Sequence, residues 1–204
     1  MNKRLNKLKE IKVSVKIMKE EKKERTLVLI QKDAIARNLA GEIISRFEKG
    51  GLKIVAMKSV WPTREMAEKH YRATEEQIVG MGNKTMKAMR EQGKEKEIKK
   101  VFGSEDPEKI GVQILEVLRQ FITKGMLIAV VLEGDDAIEK VRKIAGYTDP
   151  VKAEKGTIRG DFAADSISKA NMEKRKVENL VHAADSPKSA EIEISVWFKK
   201  EELK

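Results

Sequence analysis

The run Met126-Leu127-Ile128-Ala129-Val130-Val131-Leu132 is the longest clear apolar stretch of the chain. A short apolar run of this kind predicts a central strand of a sheet. Residues 26–30, Thr-Leu-Val-Leu-Ile, are also apolar and flanked by charge, so they predict a second buried strand. Residues 52–57 predict a strand packed on at least one face, and residues 178–182 predict a short final strand.

Helical patterns occupy the segments between these strands. Asp106-Pro107 and Ser186-Pro187 have the residue types of helix starts, and Thr74 with Gln77 has capping-box spacing. Apolar side chains recur at helical spacing in three segments, residues 39–47, 110–121 and 190–197. The order strand–helix–strand, helices, strand–helix–strand predicts an α+β fold of the ferredoxin-like split βαβ type, with an antiparallel sheet and helices on one face.

Composition predicts a soluble, heavily charged protein. Of the 204 residues, 40% are hydrophobic and 37% are charged, and none is cysteine. The absence of cysteine excludes disulfides and thiolate chemistry and fits a reducing compartment, so we expect a cytoplasmic protein. No apolar run approaches the length that spans a membrane, and we expect no membrane partner.

Much of the net charge of +10 lies at the N-terminus. Residues 1–23 hold nine Lys/Arg and three Glu, a net charge of +6, and we expect a flexible basic extension there. Residues 24–204 are predicted to form the folded domain. The polar, glycine-punctuated segment at about 80–105 reads as a partly helical insertion, and residues 166–177 read as a smaller addition.

Three short motifs carry the chemistry. His182 lies in Asn179-Leu180-Val181-His182-Ala183-Ala184-Asp185-Ser186, downstream of Gly156-Thr157-Ile158-Arg159-Gly160-Asp161-Phe162, and Glu193 follows eleven residues later. An imidazole is a good nucleophile near neutral pH and can carry a transferred group. An arginine beside glycine backbone suits a phosphate, and a carboxylate can fix which ring nitrogen stays free. The competing interpretation of His182 is a hydrogen-bonded histidine at a strand end.

Taken in order along the chain, these motifs closely resemble the nucleoside diphosphate kinase family over residues 24–198. The other matching segments are residues 26–30, 33–37, 41–48, 52–58, 68–71, 130–134, 189–191 and 197–198. The resemblance implies a ferredoxin-like fold and a ping-pong transfer of a γ-phosphoryl from a nucleoside triphosphate to a nucleoside diphosphate through a phosphohistidine. It also implies a homo-oligomer, a hexamer or a tetramer.

The resemblance assigns a role to each candidate site residue. It implies that His182 is the nucleophile, that Glu193 orients its ring and that Tyr71 lies near it. The residues that match the family's nucleotide- and phosphate-binding positions are Arg142, Thr148, Arg159 and Asn179. Tyr71 has a competing interpretation as an aromatic side chain packed on the core. Arg142 has one as a solvated residue on a helix surface.

The resemblance further implies a magnesium ion, Mg²⁺, carried in on the nucleotide phosphates. Asp185 is the carboxylate expected near it, through water. The two histidines lie in unrelated sequence contexts, so the sequence predicts no metal cluster built from them.

Three departures from the family pattern stand out. The family has Ile-Lys-Pro-Asp after its first strand, whereas this chain has Ile30-Gln31-Lys32-Asp33. Lys32 is the candidate phosphate-binding cation, although adjacent side chains on an extended segment point opposite ways. Ala183-Ala184 replaces the family's Gly-Ser. No aromatic matches the base-stacking position, where Ile114 or Leu115 falls instead.

These departures leave two alternatives open. One is a catalytically weak relative that binds nucleotide in a regulatory or scaffold role, motivated by Gln31. The other is a nucleic-acid-binding module, which the basic extension favours and the aromatic content of 4% disfavours. Nucleoside tri- and diphosphates are the expected partners, and nucleic acid is not expected.

Overall fold

The computed structural model describes residues 23–203 of the chain. The predicted N-terminal extension, apart from Lys23, lies outside this range. Within residues 23–203, no helix has both the length and the apolar character that a membrane-spanning helix requires.

Four antiparallel strands form one sheet in the spatial order β2-β3-β1-β4. The strands are β1 (Glu24–Ile30), β2 (Lys53–Val60), β3 (Leu127–Gly134) and β4 (Val181–Ala183). Because β3 lies between β1 and β2 and runs against both, β1 and β2 are parallel but separated. This is the split βαβ arrangement, and the predicted ferredoxin-like α+β fold is confirmed.

Ten α-helices connect and cover the strands of the described residues. They are α1 (Lys32–Ala36), α2 (Ala40–Lys49), α3 (Arg64–His70), α4 (Glu75–Glu91), α5 (Glu95–Phe102), α6 (Pro107–Thr123), α7 (Ala137–Ala145), α8 (Ile158–Phe162), α9 (Ile167–Met172) and α10 (Pro187–Trp197). The capping box at Thr74 and Gln77 is formed, and Asp106 caps α6 through the backbone N–H of Glu108.

The sheet is buried on both faces, which corrects the prediction of helices on one face. Val28 and Ile30 pack with α2 and α7, as predicted for a split βαβ unit. Leu27 and Leu29 point the other way and pack with Trp197 of α10 and with residues of α3 and α6. Alternate side chains of a strand point to opposite faces, so a strand with four consecutive apolar residues needs cover on both.

The insertion forms a small core of its own. Met86 and Met89 of α4 pack against α5 and against Ile110 at the start of α6. Two glycines let α4 and α6 approach closely. A Cβ added at Gly82 would lie 1.8 Å from the carbonyl oxygen of Pro107, and one at Gly111 would lie 2.0 Å from that of Ile78.

This contact predicts opposite effects for two glycines of the same helix. Gly82→Ala is expected to lower the free energy of unfolding by about 1–3 kcal/mol, because the added methyl group forces α4 and α6 apart. Gly80→Ala meets no atom within 4 Å. It is expected to be neutral or stabilising by up to about 1 kcal/mol, because alanine is the better helix former. Thermal or urea unfolding of both variants measures the difference; equal stabilities would contradict the close helix contact.

Candidate active site

His182 and Glu193 meet between strand β4 and helix α10. In the sheet, His182 pairs in register with Leu29 of β1. The Nε2 atom of His182 lies 2.8 Å from Oε2 of Glu193. An ionised carboxylate can only accept a hydrogen bond, so Nε2 carries the ring proton and Nδ1 keeps its lone pair. The imidazole is 21% exposed and lines a cavity of about 330 Å³. The pair therefore presents one unprotonated ring nitrogen on a cavity wall.

Helix α10 holds Glu193 in place. Glu193 is buried, and the neighbouring Ile194 and Trp197 of the same helix pack against the sheet. The apolar face of the helix thus fixes the carboxylate behind the imidazole, away from bulk water.

The second histidine lies beside the first, contrary to the prediction that the two are unrelated. The ring centroids of His70 and His182 are 4.6 Å apart. With Glu193 they form a set whose possible ligand atoms all lie within 4.8 Å of one another. The sequence spacing concealed this because His70 ends α3 and reaches the site only when α3 packs beside α10.

His70 is buried beside His182 as a neutral group. The indole Nε1 of Trp197 donates a hydrogen bond to its Nδ1 at 3.2 Å, so the ring proton lies on Nε2. Burial lowers the pKa of the His70 imidazole, and the nearby His182 lowers it further. His182 Nε2 and Glu193 already bond to each other, so we assign no metal to this cluster.

Arg159 is the buried cation of the site. Its guanidinium donates to the carbonyl oxygens of Gly146 at 2.6 Å, Val181 at 2.8 Å and Asn179 at 3.3 Å. Desolvation lowers its pKa to about 10, and the charge of Arg142 contributes, so Arg159 stays charged at neutral pH. These bonds use three of its five N–H groups and link the loop after α7 to the chain around β4.

The predicted phosphate-binding residues gather around two adjoining cavities. Thr148, Arg159 and Asn179 line the cavity of His182, and Tyr71 lies in the same wall. Arg142 is exposed and lines a neighbouring cavity of about 400 Å³, which shares Thr148 and Arg159 with the first. Five of the nine residues predicted by number therefore line one cavity. Glu193 lies behind His182, and Arg142 lines the neighbouring cavity.

Tyr71 and Asn179 differ in how they are held. Burial raises the pKa of the Tyr71 phenol, and Glu193 raises it further, so the hydroxyl keeps its proton and can donate it to a hydrogen bond. The side-chain N–H of Asn179 donates to the carbonyl of Thr148 at 2.9 Å. Asn179 thereby links the strand that carries His182 to the loop after α7.

The segment after β1 places Gln31, and not Lys32, in the cavity wall. The ammonium of Lys32 instead lies 4.7 Å from the ring centroid of Phe121. This position does not support the predicted phosphate contact of Lys32. Gln31 has the extended backbone of a helix N-cap and Lys32 is the first residue of α1, and their side chains leave the chain in different directions.

Lys176 is a site residue that the sequence patterns did not indicate. Its ammonium donates to the side-chain oxygens of Gln31 and Asn179, and the residue lines the cavity of His182. It lies in the small addition at residues 166–177, which contains no family motif. The only available signal was a lysine a few residues before Asn179.

Asp185 lies outside both cavities. It is exposed, and hydrogen bonds from Ser189 and Ser186 together with the charge of Arg142 hold the pKa of its carboxyl below the ordinary value. Its neighbour Ala183 lines both cavities. Asp185 is thus an ionised carboxylate at the rim near Arg142.

Part of the cavity wall is apolar. Ile114 lines the cavity, whereas Leu115 is buried in the protein interior, so of the two residues at the predicted base-stacking position only Ile114 lines the cavity. Phe102, from the insertion, adds an aromatic ring to this wall. The insertion therefore builds part of the cavity.

Comparison with known proteins places the chain in a family. A sequence model of the family "Nucleoside diphosphate kinase" matches residues 24–110 and 81–203. The nucleoside diphosphate kinase of Pyrobaculum aerophilum is 47% identical over 180 residues, 88% of this chain and 97% of that protein. That of Pyrococcus furiosus is 44% identical over 180 residues, 88% of this chain and 86% of that protein.

Two solved structures share the fold. The crystal structure of an NDP kinase from Pyrobaculum aerophilum covers 89% of this chain and 99% of its own, at 46% identity and a TM-score of 0.84. The second is a transition-state mimic of nucleoside-diphosphate kinase from Borrelia burgdorferi with bound vanadate and ADP. It covers 89% of this chain and 90% of its own, at 31% identity and a TM-score of 0.69. The chain belongs to the nucleoside diphosphate kinase family.

Proposed function

We propose that the protein transfers the γ-phosphoryl of a nucleoside triphosphate to a nucleoside diphosphate through a phosphohistidine at His182. The observation that carries this proposal is the imidazole on the cavity wall, with Nε2 hydrogen-bonded to Glu193, which leaves Nδ1 as the ring nitrogen for attack. Arg159 lines the same cavity and supplies positive charge beside the nucleophile.

The reaction has two halves on one site. The Nδ1 lone pair of His182 forms a bond to the γ-phosphorus while the bond from that phosphorus to the bridging oxygen breaks, and the diphosphate leaves with the electron pair. A second diphosphate then enters, and its terminal oxygen takes the phosphoryl group from Nδ1. Glu193 keeps the ring oriented in both halves and stabilises the positive charge that the ring gains.

The other predicted residues bind and orient the phosphates. Arg159 and Arg142 stabilise charge on the phosphoryl oxygens, since a guanidinium can pair with two oxygens at once. Thr148 and Asn179 offer hydrogen bonds to phosphate and sugar, and the Tyr71 hydroxyl offers one near the nucleophile. The apolar wall at Ile114 contacts the base without reading its polar edge, so we propose broad base selectivity.

The donor set of the site fits magnesium that arrives on the nucleotide. Magnesium prefers oxygen ligands, keeps several waters and is often held through substrate phosphates. Among the described residues, Asp185 is an ionised carboxylate near Arg142, Glu154 lines the neighbouring cavity, and no cluster of carboxylates surrounds the cavity of His182. We propose that Asp185 holds the metal's water, and the bound ion would neutralise phosphate charge.

The remaining predictions about organisation stay proposals. We propose a folded domain at residues 24–204 with its insertion at about 80–105, which limited proteolysis with mass measurement tests. We also propose a homo-oligomer, a hexamer or a tetramer, whose molar mass light scattering measures. Cytoplasmic location, where nucleotide pools occur, is tested by cell fractionation.

His182→Ala is expected to abolish labelling of the protein by [γ-³²P]ATP, because no other described group presents a free ring nitrogen to the cavity. The native label should be acid-labile and should pass to unlabelled dTDP when that is added. Labelling of the alanine variant at the native level would rule out His182 as the nucleophile.

Two glutamates of helix α10 provide a matched pair. Glu193→Gln is expected to slow phosphohistidine formation by about 10- to 100-fold, the cost typical of removing a carboxylate that orients an imidazole. Glu191→Gln changes an exposed side chain of the same helix and should leave the rate within about twofold of native. Rapid-quench labelling measures both rates, and equal rates would remove the orienting role from Glu193.

Removal of divalent cations tests the magnesium proposal. Excess EDTA is expected to stop transfer from ATP to dTDP, and added magnesium should restore it, because the arginines alone leave part of the triphosphate charge unneutralised. A coupled assay records both steps. Full activity in EDTA would contradict the proposal while leaving the His182 assignment intact.

A further inference from the structure

The position after strand β1 lacks the cation that the family resemblance places there, and another residue approaches it. The Lys176 ammonium donates to Oε1 of Gln31 at 2.9 Å, although the two residues are 145 positions apart. It also donates to Oδ1 of Asn179 at 3.0 Å and to the carbonyl of Val177 at 3.0 Å. The ammonium is thus held against Gln31 by the segment that precedes β4.

A closed segment delivers Lys176 to this place. The preceding residue, Arg175, forms two hydrogen bonds with the Asp165 carboxylate, at 2.5 and 2.9 Å. The same carboxylate accepts the backbone N–H of Glu178 at 2.9 Å. Asp165 therefore ties both ends of the α9 segment together, and the backbone at Lys176 is fixed.

The ammonium of Lys176 forms hydrogen bonds to uncharged groups only. Its three hydrogen-bond acceptors are amide or carbonyl oxygens, and within residues 23–203 no carboxylate lies within 4.0 Å of its ammonium. The ammonium also lies 4.5 Å from the ring centroid of Phe121, a favourable but uncharged contact. Arg159 and Lys176 line the same cavity, so an anion is the ligand that this wall would stabilise most.

Gln31 and Lys176 are complementary. An amide oxygen accepts the ammonium, whereas a lysine at position 31 would place a second ammonium beside it and repel it. The glutamine is therefore the residue type expected beside a cation that comes from elsewhere in the chain.

We propose that Lys176 is the phosphate-binding cation of this site, in the place where the family has a lysine and this chain has Gln31. The inference rests on the proposed phosphoryl transfer. On nucleotide binding, the ammonium would exchange the carbonyl of Val177 for a phosphate oxygen and keep its bonds to Gln31 and Asn179.

Three variants test the role of the charge. Lys176→Met is expected to lower kcat/KM for ATP by about 100-fold, as expected for the loss of one preorganised donor. The double variant Gln31→Lys with Lys176→Met puts an ammonium back and should recover at least about tenfold of that loss. Lys169→Met removes an exposed lysine of the same segment and should stay within about twofold of native. Melting curves establish that each variant is folded.

Binding measurements separate a phosphate contact from a general change of the cavity. Lys176→Met should weaken the binding of ADP by about tenfold or more. It should leave the affinity for adenosine within about twofold of native, because adenosine lacks phosphates. Native-like kcat/KM and ADP affinity in Lys176→Met would overturn the proposal. So would an equal loss for ADP and adenosine, or a double variant that recovers nothing.

The dependence of binding on pH gives a second readout. Desolvation lowers the pKa of Lys176 to about 7, and the positive charge of Arg159 contributes to the decrease. The negative charges of Asp33, Glu178 and Asp165 oppose it. Above pH 7 the free lysine loses its proton, so ADP binding by the native protein should weaken between pH 6.5 and 8.5 relative to Lys176→Met. Parallel pH profiles would count against the proposal.

Failure of this inference is distinguishable from failure of the proposed function. If the native protein transfers no phosphate to dTDP, the proposed function fails, and the ADP affinities of Lys176→Met and Lys169→Met still report on the contact. If transfer occurs and Lys176→Met is native-like, only the role of Lys176 fails.

Discussion

A buried carboxylate at the junction of strand β4 and helix α10 sets the chemistry of the cavity. Glu193 accepts the Nε2–H of His182, and that single bond decides which ring nitrogen carries the proton. The bond exists because α10 packs Ile194 and Trp197 onto the second face of the sheet. Trp197 also holds His70 beside His182. Covering both faces of the sheet is therefore a condition for the site as well as for the core.

Arg159 joins the backbone of the site to its electrostatics. One guanidinium binds three carbonyl oxygens, from the loop after α7, from Asn179 and from β4. These contacts hold in place the segments that contribute Thr148 and His182, while desolvation leaves the guanidinium charged but poorly solvated. The residue that organises the loops is thus also a buried positive charge that lines the cavity.

The sequence predicted the residues whose roles are local and missed those whose roles depend on packing. His182, Glu193 and Arg159 lie in short motifs, and the structure brings all three together. Burial of the second face of the sheet could be predicted from four consecutive apolar residues in β1. A strand with one exposed face instead alternates apolar and polar residues. His70 joins the site only through the contact of α3 with α10, and sequence spacing carries no information on that contact.

The hydrogen bond between Lys176 and Gln31 affects how such chains should be classified. A motif search that requires lysine in the fixed column after the first strand would label this chain a pseudoenzyme. A comparison restricted to the motifs of the family would omit residues 166–177, and the charge of Lys176 would not be counted. If cations are compared by their position in the structure and not by their column in a sequence alignment, such proteins stay among the candidate catalysts.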